Sequence, residues 1–223
     1  MSKTVLVVAA HSDDEALGCG GTIARHVADG DIVFAVFLAD GVSSRADSDS
    51  VGLSNRMRAS ESARKILGIS KNYYLGLPDN RLDSLALIEV VQPLEKIITE
   101  LKPQIVYTHH RGDLNVDHRI AHQAVMTACR PVPGSSVKEI YAFQVMSSTE
   151  WNTPGVNPFI ANCAVDITNH LKIKARALRA YGLEMRDFPH SRSIENIFAL
   201  AKHNGAVYGI SAAEAFMLIR SIR

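Results

Sequence analysis

Cysteine is scarce in this sequence, and the placement of the few cysteines argues against two classes of protein. The three residues, Cys19, Cys129 and Cys163, are scattered and odd in number. A disulfide-stapled secreted domain has an even set of cysteines, and a cysteine zinc site has closely spaced pairs. The cysteines therefore indicate a protein of a reducing compartment.

Long apolar runs and an excess of one charge are also absent. No apolar stretch approaches the roughly 20 residues that span a bilayer, and the first apolar run stops at acidic residues without a signal-peptide cleavage site. The formal net charge of +1 gives no reason to expect nucleic acid or an anionic membrane as a partner. We therefore expect a soluble cytoplasmic protein without membrane insertion.

Internal repeats, low-complexity tracts and linkers are missing as well. A chain of 223 residues is long enough to bury a full core, and its 47% hydrophobic and 21% charged residues are typical of a globular protein. We predict a single domain over residues 1–223.

A cluster of acidic residues follows the first apolar run of the chain. Residues 4–10 are rich in valine and too short for a typical helix, which predicts a buried parallel strand, and residues 16–28 have helical character. The sequence AHSDDE, residues 10–15, therefore occupies the turn between the first strand and the first helix. Open α/β folds bind their ligands at this edge of the sheet.

The residue types in this turn favour a metal over a phosphate. A dinucleotide or phosphate site needs glycines on the turn, whereas here three carboxylates stand there and the glycines come one helical turn later. Asp13 alone could cap the helix, but capping explains one acid and not three acids with a histidine. A histidine beside carboxylates is typical of one half of a zinc-type site.

A second polar cluster, residues 109–118, follows a later predicted strand at residues 105–108. Strands and helices alternate over roughly the first 145 residues, which predicts a parallel sheet with right-handed crossovers. If the two strands are neighbours, both clusters line one pocket. His118 and His122 share a helix face and each could bind a metal, and we favour His118 because it lies nearer the strand end.

The two clusters resemble the signatures of the LmbE/PIG-L-like metal-dependent de-N-acetylases. AHSDDE is similar to the family's AHPDDE motif, and residues 113–118, DLNVDH, are similar to a second motif that ends in Asp-His. Residues 58–68, 75–82 and 181–216 extend the resemblance over nearly the whole chain. It implies an α/β fold, a Rossmann-like three-layer sandwich with a mostly parallel sheet and the active site at the C-terminal strand ends.

The resemblance also implies a ligand set and a general base. The residues that match the family's zinc ligands are His11, Asp14 and His118, and other divalent metals could replace Zn²⁺. Asp13 matches the general base. Ser12 stands where the family usually has proline, a departure that touches no ligand.

Asn115 is a second departure, because many members have there a histidine that stabilises the oxyanion. We expect Asn115 to donate a hydrogen bond to the oxyanion and His190, more than His110, to add positive charge; alternatively, Asn115 only stabilises the turn. Arg58, His110 and Arg192 are candidate substrate contacts, and residues 43–54 form a candidate polar lid.

The implied function is hydrolysis of an N-acetyl group on a small-molecule amino sugar, such as an N-acetylglucosamine-type sugar or glycoconjugate. A metal-dependent amidase acting on a sugar-thiol conjugate and a noncatalytic metal-dependent carbohydrate-binding module remain alternatives. A serine hydrolase is disfavoured because the sequence has no G-x-S-x-G motif. The sequence leaves a homo-oligomer open.

Overall fold

The computed structural model describes residues 2–44 and 50–223, except for the side chain of Ser50. The strands in this part of the chain are β1 Thr4–Ala9, β2 Ile32–Ala39, β3 Lys71–Leu77, β4 Ile105–His109, β5 Glu139–Phe143, β6 Cys163–Asp166 and β7 Ala213–Ser221. The α-helices are α1 Asp14–Ala28, α2 Ser50–Leu67, α3 Leu87–Leu101, α4 Val116–Ala128, α5 Leu171–Ala180 and α6 Ile194–Val207.

The strands form one sheet in the order β3-β2-β1-β4-β5-β7-β6. The first five strands in this order pair in parallel, and β7 runs antiparallel to both of its neighbours. The strands β1 and β4 are adjacent at the point where the strand order reverses. The prediction that the two polar clusters follow neighbouring strands is therefore confirmed, whereas β7 was not predicted.

Helices cover both faces of the sheet because successive residues of β1 point to opposite sides. Val5 and Val7 pack into one core with residues of α1, α2, α5 and α6. Leu6 and Val8 pack into a second core with residues of α3 and α4. The arrangement is the predicted α/β fold, a mostly parallel sheet between two layers of helices.

The segment after β2 differs from the expectation of a long polar lid. Of residues 43–54, the stretch 45–49 lies outside the described residues, and from Ser50 onward the chain is helical. The first turns of α2 have only two large apolar residues, Val51 and Leu53, which are both exposed and stand two positions apart, so the sequence there lacks the apolar periodicity that would have indicated a helix. Within the described part of the chain, no helix has the length and apolar character needed to cross a membrane.

The helix α1 is broken at Cys19, whose φ of −145° is not helical. Two buried side chains satisfy the backbone groups that the break frees. The Lys174 ammonium donates to the carbonyl oxygen of Leu17 at 2.7 Å, and the Glu214 carboxylate accepts from the N–H groups of Gly21 at 3.0 Å and Thr22 at 2.7 Å. Lys174 and Glu214 also pair with each other at 2.6 Å.

Candidate active site

The turn between β1 and α1 has a constrained backbone. Asp13 has a φ of 135°, a region that residues other than glycine rarely occupy. The Glu15 carboxylate accepts from the Asp13 N–H at 3.0 Å and from the Tyr181 hydroxyl at 2.7 Å. Burial raises the pKa of Glu15 to about 7, although the Tyr181 hydrogen bond opposes the shift. Glu15 therefore stabilises the turn from within the protein core, where its partners are the Asp13 N–H and Tyr181.

His11, Asp14 and His118 converge on one point at the carboxyl ends of β1 and β4. The Asp14 Oδ2 atom lies 3.3 Å from Nδ1 of His11 and 3.3 Å from Nε2 of His118. All three residues are buried, and their ligand atoms lie within 4.8 Å of one another. In the described residues Asp14 Oδ1 is buried without a hydrogen-bond partner. Two imidazoles and a carboxylate with a free oxygen fit a divalent cation of the zinc type.

Carboxylates hold the other ring nitrogen of each histidine. Nε2 of His11 lies 3.0 Å from Asp117 Oδ2 and 3.1 Å from Asp79 Oδ1. Nδ1 of His118 lies 3.1 Å from Asp113 Oδ1. This pattern of carboxylate, imidazole and ligand point is the one that orients histidines in metal sites and increases their basicity.

The acids also govern the protonation of the histidines. Burial lowers the pKa of His118, but the charge of Asp14 and hydrogen bonds with Asp113 and Asp14 outweigh it and raise the pKa to about 9. Burial raises the pKa of Asp14, but the neighbouring His118 and His109 outweigh it and hold the pKa well below its usual value. These shifts keep Asp14 anionic and His118 protonated at neutral pH, so binding of a metal by His118 must release a proton.

Two arginines hold the carboxylate of Asp13. Nη2 of Arg56 lies 3.2 Å from Asp13 Oδ1, and Nη1 of Arg192 lies 3.0 Å from Asp13 Oδ2. Arg56 also donates to Ser12 and pairs with Glu184 at 2.8 Å. Burial raises the pKa of Asp13, and the arginine charges oppose this shift. Each oxygen of the Asp13 carboxylate thus has an arginine as its partner.

Arg56 was not among the predicted site residues, whereas Arg58 was. The helix α2 turns the Arg56 side chain into the protein, where it is 9% exposed. Arg58 is exposed, and its guanidinium donates to Ser54. Arg58 also lines a cavity of about 430 Å³ together with Arg56 and Arg179. The two arginines differ only in which face of α2 they occupy, and no sequence motif shows which face is buried.

Asn115 is the N-cap of α4. Its Oδ1 accepts from the Asp117 N–H at 2.8 Å, and its Nδ2 donates to Asn80 Oδ1 at 3.0 Å. Both ends of the carboxamide therefore have partners within the protein. These contacts favour the alternative that Asn115 stabilises the turn before the helix, and its part in catalysis stays a prediction.

The remaining predicted histidines lie in different surroundings. His110 is 1% exposed, and its Nε2 lies 2.7 Å from the carbonyl oxygen of Asn157, so its contact with substrate stays a prediction. His190 is half-buried, and its Nδ1 accepts from the Arg192 N–H at 3.0 Å. Nδ1 of His122 lies 2.9 Å from the carbonyl oxygen of His109, outside the ligand group.

Asp79 is a site residue that sequence reasoning missed. It follows β3 in a Pro-Asp-Asn stretch that predicts only a turn. The fold places its buried carboxylate against His11, and the Ser44 hydroxyl donates to it. The feature of the sequence that could have identified Asp79 is its position just after a predicted strand, since the carboxyl ends of parallel strands share one edge of the sheet.

Comparison with known proteins finds sequence similarity to one family of de-N-acetylases. A sequence profile of the family described as PIG-L, GlcNAc-PI de-N-acetylase, matches residues 6–129. The chain is 35% identical over 136 residues to an uncharacterized deacetylase of Escherichia coli (strain K12), which covers 59% of this chain and 70% of the relative.

Two solved structures share the fold. N,N'-diacetylchitobiose deacetylase from Pyrococcus horikoshii superposes with a TM-score of 0.78 at 22% identity, covering 98% of this chain and 84% of the other. The 4-carboxy-2-hydroxymuconate hydratase from Pseudomonas putida KT2440 gives a TM-score of 0.79 at 20% identity, covering 99% and 98%. Since a deacetylase and a hydratase both have this fold, the fold alone does not decide the reaction.

Proposed function

The chain belongs to the PIG-L family of GlcNAc-PI de-N-acetylases, and from this premise we propose that it is a metal-dependent hydrolase that removes the N-acetyl group of an amino sugar. The observation that carries the proposal is the buried group of His11, Asp14 and His118 beside the separately held Asp13. An open three-ligand site with an adjacent carboxylate is typical of catalytic zinc.

We propose that His11, Asp14 and His118 hold Zn²⁺ or a similar divalent ion. When bound, such an ion supplies Lewis acidity, which polarises an amide carbonyl and lowers the pKa of water. Asp79, Asp113 and Asp117 orient the two imidazoles through their outer ring nitrogens. The carboxylates and the ligand histidines thus form one buried unit.

Asp13 is the proposed general base. It removes a proton from the attacking water as the C–O bond forms, and it returns that proton to the nitrogen of the sugar as the C–N bond breaks. The products are acetate and the free amino sugar. Arg192 is proposed to orient Asp13, since its guanidinium forms an ion pair with the Asp13 carboxylate at 3.0 Å.

The negative charge that develops on the carbonyl oxygen needs a donor besides the metal. His190 is the proposed donor, because its Nδ1 accepts from the Arg192 N–H and its ring proton therefore lies on Nε2. Asn115 stays a prediction as a second donor, and its amide would have to give up its bond to Asn80 to fill that role. Arg58 is proposed to contact a substituent of the sugar in the cavity that it lines with Arg56 and Arg179. His110 gains no support from its buried position.

The proposal is tested by acetate release from N-acetylglucosamine and its β-linked dimer by metal-loaded protein. We expect release that stops after chelation and returns with zinc. Release that survives complete removal of metal would contradict the proposal. Metal-dependent sugar binding without acetate would favour a binding module, and faster cleavage of a sugar-thiol conjugate amide would favour the amidase alternative.

A further inference from the structure

Trp151 is the single tryptophan of the sequence, and its side chain is 53% exposed. It ends a 3-10 turn, Thr149–Trp151, in the segment between β5 and β6. An exposed large aromatic residue is informative mainly where it lies next to a functional site, because isolated exposed apolar residues are common.

The turn that carries Trp151 is hydrogen-bonded to Asp113, which in turn contacts the proposed metal ligand His118. The Thr149 hydroxyl donates to Asp113 Oδ2 at 2.5 Å, and the Ser148 hydroxyl donates to Asp113 Oδ1. Asp113 is the carboxylate that lies against Nδ1 of His118. The backbone of the turn is therefore held at a fixed place relative to His118.

A second chain of contacts joins Trp151 to Asp13. The indole packs edge to face with the imidazole of His190, with ring centroids 5.7 Å apart and an interplanar angle of 74°. Nδ1 of His190 accepts from the Arg192 N–H, and the Arg192 guanidinium binds Asp13. Arg192 also donates to Ser147, four residues before the end of the turn. Trp151 is thus joined to the site by two chains of contacts, one through Asp113 and the other through His190 and Arg192.

We infer that Trp151 is the sugar-binding platform of this site, with the exposed part of its indole packed against the C–H face of a pyranose ring of the substrate. An indole is large, rigid and apolar with one polar edge, so it loses little conformational freedom when it binds a flat apolar face. The inference rests on the proposed function, since it concerns the substrate of that site. It adds to that function the side chain against which the sugar ring packs.

Two variants separate substrate contact from a purely structural role. Trp151→Ala removes the platform, and Trp151→Phe keeps an aromatic face. Tyr208→Ala is the matched control, because Tyr208 is an exposed aromatic residue at the far end of α6, about 20 Å along the helix from the segment of Arg192.

With metal-loaded protein and the β-linked dimer of N-acetylglucosamine, we expect Trp151→Ala to raise KM by about tenfold and to change kcat by less than about twofold. Trp151→Phe should recover most of the affinity, and Tyr208→Ala should match wild type. An unchanged KM in Trp151→Ala would overturn the inference. A loss confined to kcat would also overturn it, because that result is expected if Trp151 only positions His190.

The single tryptophan permits a measurement that does not depend on turnover. Titration of metal-loaded wild type with the same dimer and with its deacetylated form should change the tryptophan fluorescence saturably. If wild type releases no acetate, the proposed function fails and this titration alone decides the inference. Calorimetry measures independently the sugar concentration that saturates binding. No fluorescence change at that concentration would overturn the inference, and so would the absence of any binding of the sugar.

Discussion

At the scale of single residues, the polar side chains of AHSDDE have separate tasks because each faces a different partner. His11 and Asp14 face His118, Asp13 faces two arginines, and Glu15 faces Tyr181 inside the protein. The motif and its resemblance predicted a ligand group of His11, Asp14 and His118, and the structure brings these three side chains together, whereas their binding of a metal stays a prediction. They could not predict the inward direction of Glu15, which depends on a tyrosine 166 residues away in the sequence.

His118 and His122 provide a matched pair, because both lie in α4 and only His118 faces Asp14. We expect His118→Ala to lose most of the bound zinc and His122→Ala to keep about one ion per chain, as measured by elemental analysis of both purified variants. Equal zinc content in the two variants would contradict the assignment of His118 as a ligand.

Asn115 can be tested without removing the helix cap. Serine caps a helix about as well as asparagine but has no amide donor. We expect Asn115→Ser to keep most of its free energy of unfolding, because the cap is retained and only the exposed bond to Asn80 is lost. We also expect kcat to change by less than about tenfold, because the Asn115 amide is already engaged by Asn80. A loss of about 10²–10³ in kcat at unchanged stability would instead identify Asn115 as an oxyanion donor.

At the scale of elements, the sequence predicted the central strands well because each is a continuous apolar run that ends at polar residues. The strand β7 escaped prediction. Its residues become half exposed toward its C-terminal end, and its place between β5 and β6 depends on pairing with segments far away in the sequence. Long-range antiparallel pairing of this kind has no local signal.

The break in α1 depends on a buried ion pair that also joins β7 to α5. Lys174→Met leaves the Glu214 carboxylate buried without its cation, so we expect the free energy of unfolding to fall by about 3–5 kcal/mol in urea denaturation. Lys172→Met, at an exposed position of the same helix, is the control and should change it by less than about 0.5 kcal/mol. Similar stabilities of the two variants would show that the pair does not support the break.

At the scale of the whole molecule, the strand order explains why one site forms from distant segments. The neighbours β1 and β4 bring His11 and Asp14 to His118, and β3 brings Asp79 to the same edge. The alternation of strands and helices predicted this meeting of β1 and β4. The contacts of Arg56 with Asp13 and Glu184 were not predictable, because Arg56 lies on α2 and Glu184 in the turn after α5, and their meeting depends on how these segments pack.

Metal bound only by the folded chain must stabilise the whole molecule. At a zinc concentration one hundred times the dissociation constant, we expect about 2.7 kcal/mol of added stability, which corresponds to a rise of about 5–10 °C in Tm for a protein of this size. Chelator-treated wild type, scanned with and without zinc, measures this rise. His118→Ala should show little of it, and an equal rise in that variant would place the zinc elsewhere.

The most direct test of the account measures zinc content and acetate release together in wild type and Asp13→Asn. Asparagine keeps the shape of the side chain but cannot remove a proton from water. The account predicts one zinc ion per chain in both proteins and a turnover lower by about 10²–10⁴ in the variant. Turnover near that of wild type at unchanged zinc content would contradict the account.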